Sequence, residues 1–321
     1  MPKAVQLSAY GGIDQLRIVD APMPEPKAGE VVVRVVAAGT NPGEIAIREG
    51  YLQAMFPKDF PFGQGTDFAG RVDAVGANVT EFAAGDEVLG WTEQRAAQAE
   101  YVVIARTQLI AKPPSLDWFR AGSLFVAGTT AVAAVRAVSL RPGDVVAVSG
   151  AAGGVGSLAI QLARRAGARV IGIASAESAP FLHSVGAEAV AYGEGLAERL
   201  RAIAPQGLDA FIDLFGGGYV DLAVTLGVAR DRIDTIIDFA AVQKHGVKSD
   251  GSAEAGTRET LASVANLVAW GEIVMPLTAI YPFAALEDAY AELALRKTRG
   301  KIVLALDPAM TAPIRALKPA P

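Results

Sequence analysis

The sequence predicts an α/β protein in two parts: a small, partly open β-barrel followed by a doubly wound parallel sheet. Three observations predict it. The β-branched run Val145-Val146-Ala147-Val148 ends in the glycine-rich turn Ser149-Gly150-Ala151-Ala152-Gly153-Gly154-Val155-Gly156, and residues 157–168 then carry apolar side chains at helical spacing. A second strand, Arg169-Val170-Ile171-Gly172-Ile173-Ala174, follows at once and completes a strand–helix–strand unit. Before residue 118, by contrast, only short strands and turns occur.

The β-rich part opens with Met1-Pro2-Lys3-Ala4-Val5-Gln6-Leu7, which reads as a strand. Val31-Val32-Val33-Arg34-Val35-Val36-Ala37-Ala38-Gly39 is a β-branched run; residues 70–76 and 87–91 alternate. Pro22, Pro24, Pro26, Gly29 and Gly85-Asp86 supply turns. From about Trp118, helical stretches alternate with apolar strands at 145–148, 170–174, 210–214 and 235–239. A helix over 259–270, β-type sequence at 272–277, a helix over 283–296 and a strand over 300–306 then return the chain to the first part. The expected division is 1–117 with 266–321, and 118–265. The Pro- and Ala-rich tail from Asp307 is expected to be a loose extension.

Composition narrows the function. The chain has 321 residues, no cysteine and two histidines, with a net charge of −5. Disulfides and cysteine-ligated zinc are excluded, and His183 and His245 make no histidine-rich metal site; a metal held by carboxylates alone is left open without sequence support, and no metal is expected. No basic run points to nucleic acid. The apolar stretch 124–140 is short for a membrane span and is broken by Gly128, two threonines and Arg136. With no secretory signal at Met1, a soluble, cytoplasmic protein is expected.

The glycine turn carries the chemistry. It lets the backbone approach a pyrophosphate, and the helix behind it offers unpaired N–H groups and a positive dipole end. The match to the dinucleotide fingerprint is Ala151-x-Gly153-x-x-Gly156, with alanine in place of the first glycine. The plain alternative is a glycine-rich turn without a ligand.

Several motifs in order resemble one family. They are Tyr10-Gly11-Gly12-Ile13-Asp14-Gln15-Leu16, Glu30-Val31-Val32-Val33-Arg34-Val35 after a Pro-rich stretch, and Gly39-Thr40-Asn41-Pro42. They continue with Gly63-Gln64-Gly65-Thr66-Asp67-Phe68-Ala69-Gly70, Gly85-Asp86-Glu87-Val88, the glycine turn, Gly186-Ala187 and Arg299-Gly300-Lys301-Ile302-Val303-Leu304. Over nearly its whole length the chain resembles the zinc-free quinone oxidoreductases of the medium-chain dehydrogenase/reductase superfamily. The resemblance implies a GroES-like barrel domain and a Rossmann domain. It also implies hydride transfer from a nicotinamide cofactor to a quinone or an α,β-unsaturated carbonyl. Zinc-dependent relatives polarise an alcohol with a metal held by thiolate and imidazole; here residues 40–44 are Thr-Asn-Pro-Gly-Glu. An acceptor already conjugated to oxygen suits such a site.

The resemblance also assigns residues. Gly153, Gly154, Val155 and Gly156 lie against the pyrophosphate. Thr130 stands near the nicotinamide, or is an ordinary helix hydroxyl. Asn41 faces nicotinamide and substrate, or starts a turn before Pro42. Phe239 and Ala240, ending the strand 235–239, hold the carboxamide through backbone groups; Phe215 and Gly216 border the adenosine. Relatives often carry tyrosines in the segment matching 45–52. Ala46 and Leu52 replace them here, and Tyr51 lies one residue early. Tyr51 is thus a candidate proton donor or a packing tyrosine, and water is the other proton source.

Cofactor choice is read after the second strand. Ser175 lacks the carboxylate that bonds a ribose 2′-OH, and Tyr192 matches a tyrosine that meets the 2′-phosphate. Glu177 opposes a phosphate. The balance predicts NADPH. Two alternatives stay open: an NADPH-binding structural or sensing protein with little turnover, and an enoyl-thioester reductase, for which Lys58 is one nearby cation. A homodimer is expected, with residues 245–249 as the last sheet strand pairing with its twin.

Overall fold

The computed structural model describes residues 1–57 and 59–310, and the chain forms two compact units. The first holds Met1–Val126, Thr257–Trp270 and the chain from Leu277; the second holds Ala127–Gly256 and Gly271–Pro276. The expected junctions at 117/118 and 265/266 therefore move. The helix Trp118–Ala121 packs on strands of the first unit, and Ser115 Oγ donates to the Ala269 carbonyl at 2.9 Å, tying the helix Arg258–Ala269 to that unit.

The first unit contains β1 (Lys3–Leu7), β2 (Arg17–Asp20), β3 (Glu30–Gly39), β4 (Phe62–Gly63), β5 (Asp67–Val75), β6 (Glu87–Trp91), β7 (Tyr101–Ala105) and β8 (Leu109–Ala111). The second contributes β9 (Val145–Val148), β10 (Arg169–Ala174), β11 (Glu188–Ala191), β12 (Ala210–Asp213) and β13 (Ile233–Thr235). The first is completed by β14 (Leu277–Pro282) and β15 (Lys301–Ala305).

The run of valines makes β3 the spine of the first unit. It pairs with β5 on one edge, and its other edge is shared: Glu30–Arg34 meet β7, and Ala37–Gly39 meet β15. Register shifts interrupt the β3–β5 ladder between Val32 and Val33 and between Val35 and Ala37. Such bulges bend a strand and help a sheet curl. Val31, Val33, Val35, Leu7, Phe68 and Val88 are buried together in the core of this unit. A small sheet, β2-β1-β4, packs on the same core through Val5, Leu7 and Phe62.

The second unit is a five-stranded parallel sheet in the order β11-β10-β9-β12-β13. The order reverses at β9, so the crevice beyond its carboxyl end is the switch point of a doubly wound sheet. Strands buried on both faces read as near-continuous apolar runs, as Val145–Val148 and Arg169–Ala174 do.

Three expected elements change. The strand over 235–239 is instead β13, followed by the helix Phe239–His245. Ile236-Ile237 looks like strand continuation, but Thr235 Oγ1 accepts the Asp238 N–H at 3.1 Å and Asp238 caps the helix by accepting from Ala241 N–H at 3.0 Å. Residues 245–249 form no full strand: Gly246 ends that helix in the left-handed conformation, and only Lys248 bridges Asp234. The β-type sequence at 272–277 is irregular, and the strand begins at Leu277. The tail expected to be loose yields the short 3-10 turn Pro308–Met310; its remainder, and Lys58, lie outside the described residues. Among the described residues no helix is long and apolar enough to cross a membrane.

Candidate active site

The candidate nucleotide site is built at the carboxyl ends of the parallel strands. Gly153 is the N-cap of the helix Gly154–Arg165, extended at φ −72° and ψ 176°, with no side chain to occupy the first-turn N–H groups. A Cβ on Gly156 would lie 2.4 Å from the Gly150 carbonyl oxygen and 2.7 Å from that of Ala151, so helix and turn meet too closely for any side chain. A Cβ on Gly153 would meet the Gly150 oxygen at 3.3 Å and nothing else within 4 Å. Gly156 serves packing, whereas Gly153 stands on an open rim. Ala151, at the first-glycine position, is fully buried in the core.

A buried carboxylate locks the neighbouring loops. Asp213, at the end of β12, accepts from Ser149 Oγ at 2.5 Å and from Thr235 Oγ1 at 2.8 Å. It also accepts the N–H groups of Phe215 and Gly216 at 3.1 and 3.0 Å. The loops after β9, β12 and β13 are thus pinned to one side chain with zero exposure. Gly216, Gly217 and Gly218 all lie at positive φ, between +73° and +90°, a tight turn that side chains rarely allow.

Four large apolar residues stand exposed at the carboxyl ends of the strands: Tyr192 (55%) after β11, Phe215 (39%) after β12, and Ile237 (42%) and Phe239 (44%) after β13. Ala240 is exposed beside Phe239, now at a helix start rather than a strand end. Ser175 follows β10 and heads a short 3-10 turn, its Oγ 3.1 Å from Ser178 Oγ. Gly154 and Val155 are half-buried in the first helical turn, and Thr130 is buried in the helix Phe125–Ala137. Burial pushes the Tyr219 phenol up; its ring packs edge-on against Phe215. Open backbone at a helix N-terminus, flanked by exposed apolar side chains, fits a dinucleotide.

The first unit carries a buried polar cluster of its own. Asn41 ends the turn after β3 and caps the helix Pro42–Arg48. Its Nδ2 donates to Glu44 Oε1 at 3.0 Å and to Asp67 Oδ2 at 3.1 Å, and its Oδ1 accepts from Lys301 Nζ at 2.6 Å. Both amide hydrogens are therefore taken up inside the protein, leaving one Oδ1 lone pair. Glu44 also accepts from Asn41 N–H, Thr66 N–H and, at 2.6 Å, Tyr290 Oη. Gln98 Nε2 donates to that phenol at 2.7 Å. Asp67 lies 3.5 Å from Lys301 and accepts the Val126 N–H at 2.9 Å.

Glu44, Asp67, Tyr290 and Lys301 are all buried. Burial pushes the Glu44 carboxyl up, against the bonds from Tyr290 and Asn41. Burial and the Glu44 charge push the Tyr290 phenol well above its ordinary value, so it stays a donor. Tyr51 is not drawn into this cluster: its side chain is 79% exposed in the turn after the helix.

Asp67 and Lys301 stood inside the motifs that carried the resemblance, yet nothing local signalled a pair 234 positions apart. Glu44 had a visible sign: Asn41 followed three residues later by Glu is the pattern of a capping box. Asp213 showed only as an acidic end to an apolar strand.

The chain matches two families, "Alcohol dehydrogenase GroES-like domain" over residues 27–114 and "Zinc-binding dehydrogenase" over residues 154–233. It is 30% identical to the "Quinone oxidoreductase" of Pseudomonas aeruginosa, covering 95% of this chain and 99% of that protein. It is also 30% identical to an "NADPH-dependent alkenal/one oxidoreductase, chloroplastic" of Arabidopsis thaliana, covering 94% of this chain and 79% of that protein. The solved quinone oxidoreductase of Coxiella burnetii superposes with a TM-score of 0.85 at 29% identity, covering 95% of this chain and 99% of that one. With fold, motif order and full-length similarity in agreement, the chain belongs to the quinone oxidoreductase family of the medium-chain dehydrogenase/reductase superfamily.

Proposed function

We propose that the protein is a zinc-independent, NADPH-dependent oxidoreductase that passes hydride to a quinone or an α,β-unsaturated carbonyl. The observation that carries this reading is the open glycine rim at Gly153, with exposed apolar residues on the loops beside it. NADPH when bound supplies the hydride. The N–H groups of residues 154–156 hold the pyrophosphate, Phe215 and Gly216 border the adenosine, and the backbone at Phe239 and Ala240 receives the carboxamide. Thr130 would stand near the nicotinamide ring, and Asn41 Oδ1 keeps one lone pair for a ligand. Tyr290 is held by Glu44 and Gln98, so water, or the exposed Tyr51, delivers the proton. The cysteine-free sequence supports a route without zinc.

Ser175 supports NADPH because it donates to phosphate oxygens and carries no repelling charge; Tyr192 stands exposed for a second bond. The test is kcat/KM for both cofactors with one quinone. We expect NADPH to be favoured about tenfold or more, and Ser175→Asp to erase the preference. Better use of NADH would overturn the assignment, and tight NADPH binding without turnover would favour a sensing role.

We further propose a cytoplasmic homodimer. Among the described residues, the sheet edge beyond β13 carries only the Lys248 bridge, and a second copy would cover its unpaired groups. Light scattering should return twice the chain mass at micromolar concentration; a monomeric mass would refute it.

A further inference from the structure

Arg95 stands out in the first unit. It sits in the loop joining β6 to β7 at φ +55°, a left-handed conformation that non-glycine residues rarely hold. Its guanidinium lies 4.7 Å over the Phe56 ring, and Nη1 donates to Thr66 Oγ1 at 3.0 Å. Nε is buried with no partner. Among the described residues no carboxylate lies within 4.0 Å of it.

The two acids nearest in effect are Glu44 and Asp67. Their oxygens are already bonded to Asn41, Tyr290, Lys301 and backbone N–H groups. Thr66 ties the two places together, because its N–H bonds Glu44 while its hydroxyl receives Arg95. Arg95 is thus one residue removed from the partners of Asn41. With Nε buried and Nη1 on Thr66, Nη2 has no partner among the described residues, and a guanidinium stacked on a ring with no carboxylate of its own can receive one there from outside. Phe56 belongs to a turn that also exposes Tyr51 (79%) and Met55 (55%), an apolar surface suited to a flat conjugated ring.

We propose that Arg95 is a specificity-determining residue that takes a carboxylate on the electron acceptor, so that the preferred substrates are quinones or enones bearing an acid group. This rests on the hydride-transfer reading given above.

The test measures binding and turnover separately, with 1,4-naphthoquinone-2-carboxylate and its methyl ester as probes. Calorimetric titration of the full chain should show the acid bound about tenfold or more tightly than the ester. Arg95→Gly removes the guanidinium and suits the left-handed backbone, so it should fold and bind the two probes alike. Arg95→Lys should retain part of the acid preference. Equal binding by the parent chain, or an acid preference that survives in Arg95→Gly, would overturn the proposal. So would equal weakening of both probes with a lowered melting temperature, the mark of an arginine that only balances Glu44 and Asp67. NADPH oxidation with the ester judges the hydride-transfer reading on its own: an acid preference in binding with no turnover would sink that reading and leave recognition by Arg95 standing.

Discussion

The carboxyl edge of the parallel sheet and the cluster around Asn41 solve the same problem with different materials. At the sheet edge the working surface is backbone: a helix N-terminus, glycines and loops, held from behind by the single carboxylate of Asp213. Around Asn41 the working surface is side chain, and it is held by three buried charges, Glu44, Asp67 and Lys301, with the Tyr290 phenol bonded to the first. Backbone presented at an edge needs space more than partners. An amide held by two carboxylates and an ammonium needs every partner present, because each buried charge left alone is expensive.

The largest expected effect lies on the backbone side. Gly156→Val should abolish cofactor binding or prevent folding, because even a Cβ would sit 2.4 Å from a carbonyl oxygen. Gly153→Ala, with its nearest contact at 3.3 Å, should fold and lose only severalfold in affinity. Fluorescence titration with circular dichroism reads both. Equal damage at the two positions would erase the distinction between packing glycine and rim glycine.

On the side-chain side, Lys301→Met should lower unfolding free energy by about 3–5 kcal/mol, since it strands Asp67 and leaves Asn41 Oδ1 and the Thr40 carbonyl without their donor. Denaturant unfolding measures it. A loss below about 1 kcal/mol would mean that water replaces the ammonium and that the cluster is not dry.

The smallest effect tests whether the parallel-sheet unit contains a strained charge of its own. Asp234, on β13, is fully buried; Oδ1 accepts the Asp250 N–H at 2.7 Å and Oδ2 has no partner. Burial, with Asp250 and Glu254 nearby and Lys248 opposing them, pushes its carboxyl up to about 7. The folded chain then keeps a proton that the unfolded chain releases near 3.8. Asp234 thus contributes stability that is full below the unfolded value and is lost as pH rises to about 7. Asp234→Asn cannot ionise, so its stability relative to the parent should grow by roughly 2.5 kcal/mol between pH 5 and pH 8. Melting curves across that range check it, and a constant difference would show that Asp234 is ionised throughout.

The same contrast explains what the sequence could disclose. The sheet edge was legible because a ligand-bearing turn is local: Val148, Gly153, Gly156 and the apolar stripe behind them are neighbours in the chain. The barrel was legible through its valine-rich β3 and evenly spaced turns. The Asn41 cluster was not, because Tyr290 and Lys301 reach Glu44 and Asn41 across 246 and 260 positions. Phe239 was misread for a third reason. Its strand-like surroundings are apolar, and a single hydroxyl, that of Thr235, with the Asp238 cap behind it, turns the chain into a helix.

The shared edge of β3 sets an order of assembly. One half of that edge is filled by β7 and the other by β15, which the ribosome reaches nearly two hundred residues later. The parallel-sheet unit, emerging between them, contains every strand of its own sheet before β15 exists. The barrel must meanwhile wait with an open seam beside residues 37–39. Lys301 arrives on the strand that closes this seam, so until then Asp67 has no ammonium beside it. Translation that stalls before residue 301 would therefore release a chain with one finished sheet and one raw edge, the form most exposed to strand-to-strand aggregation.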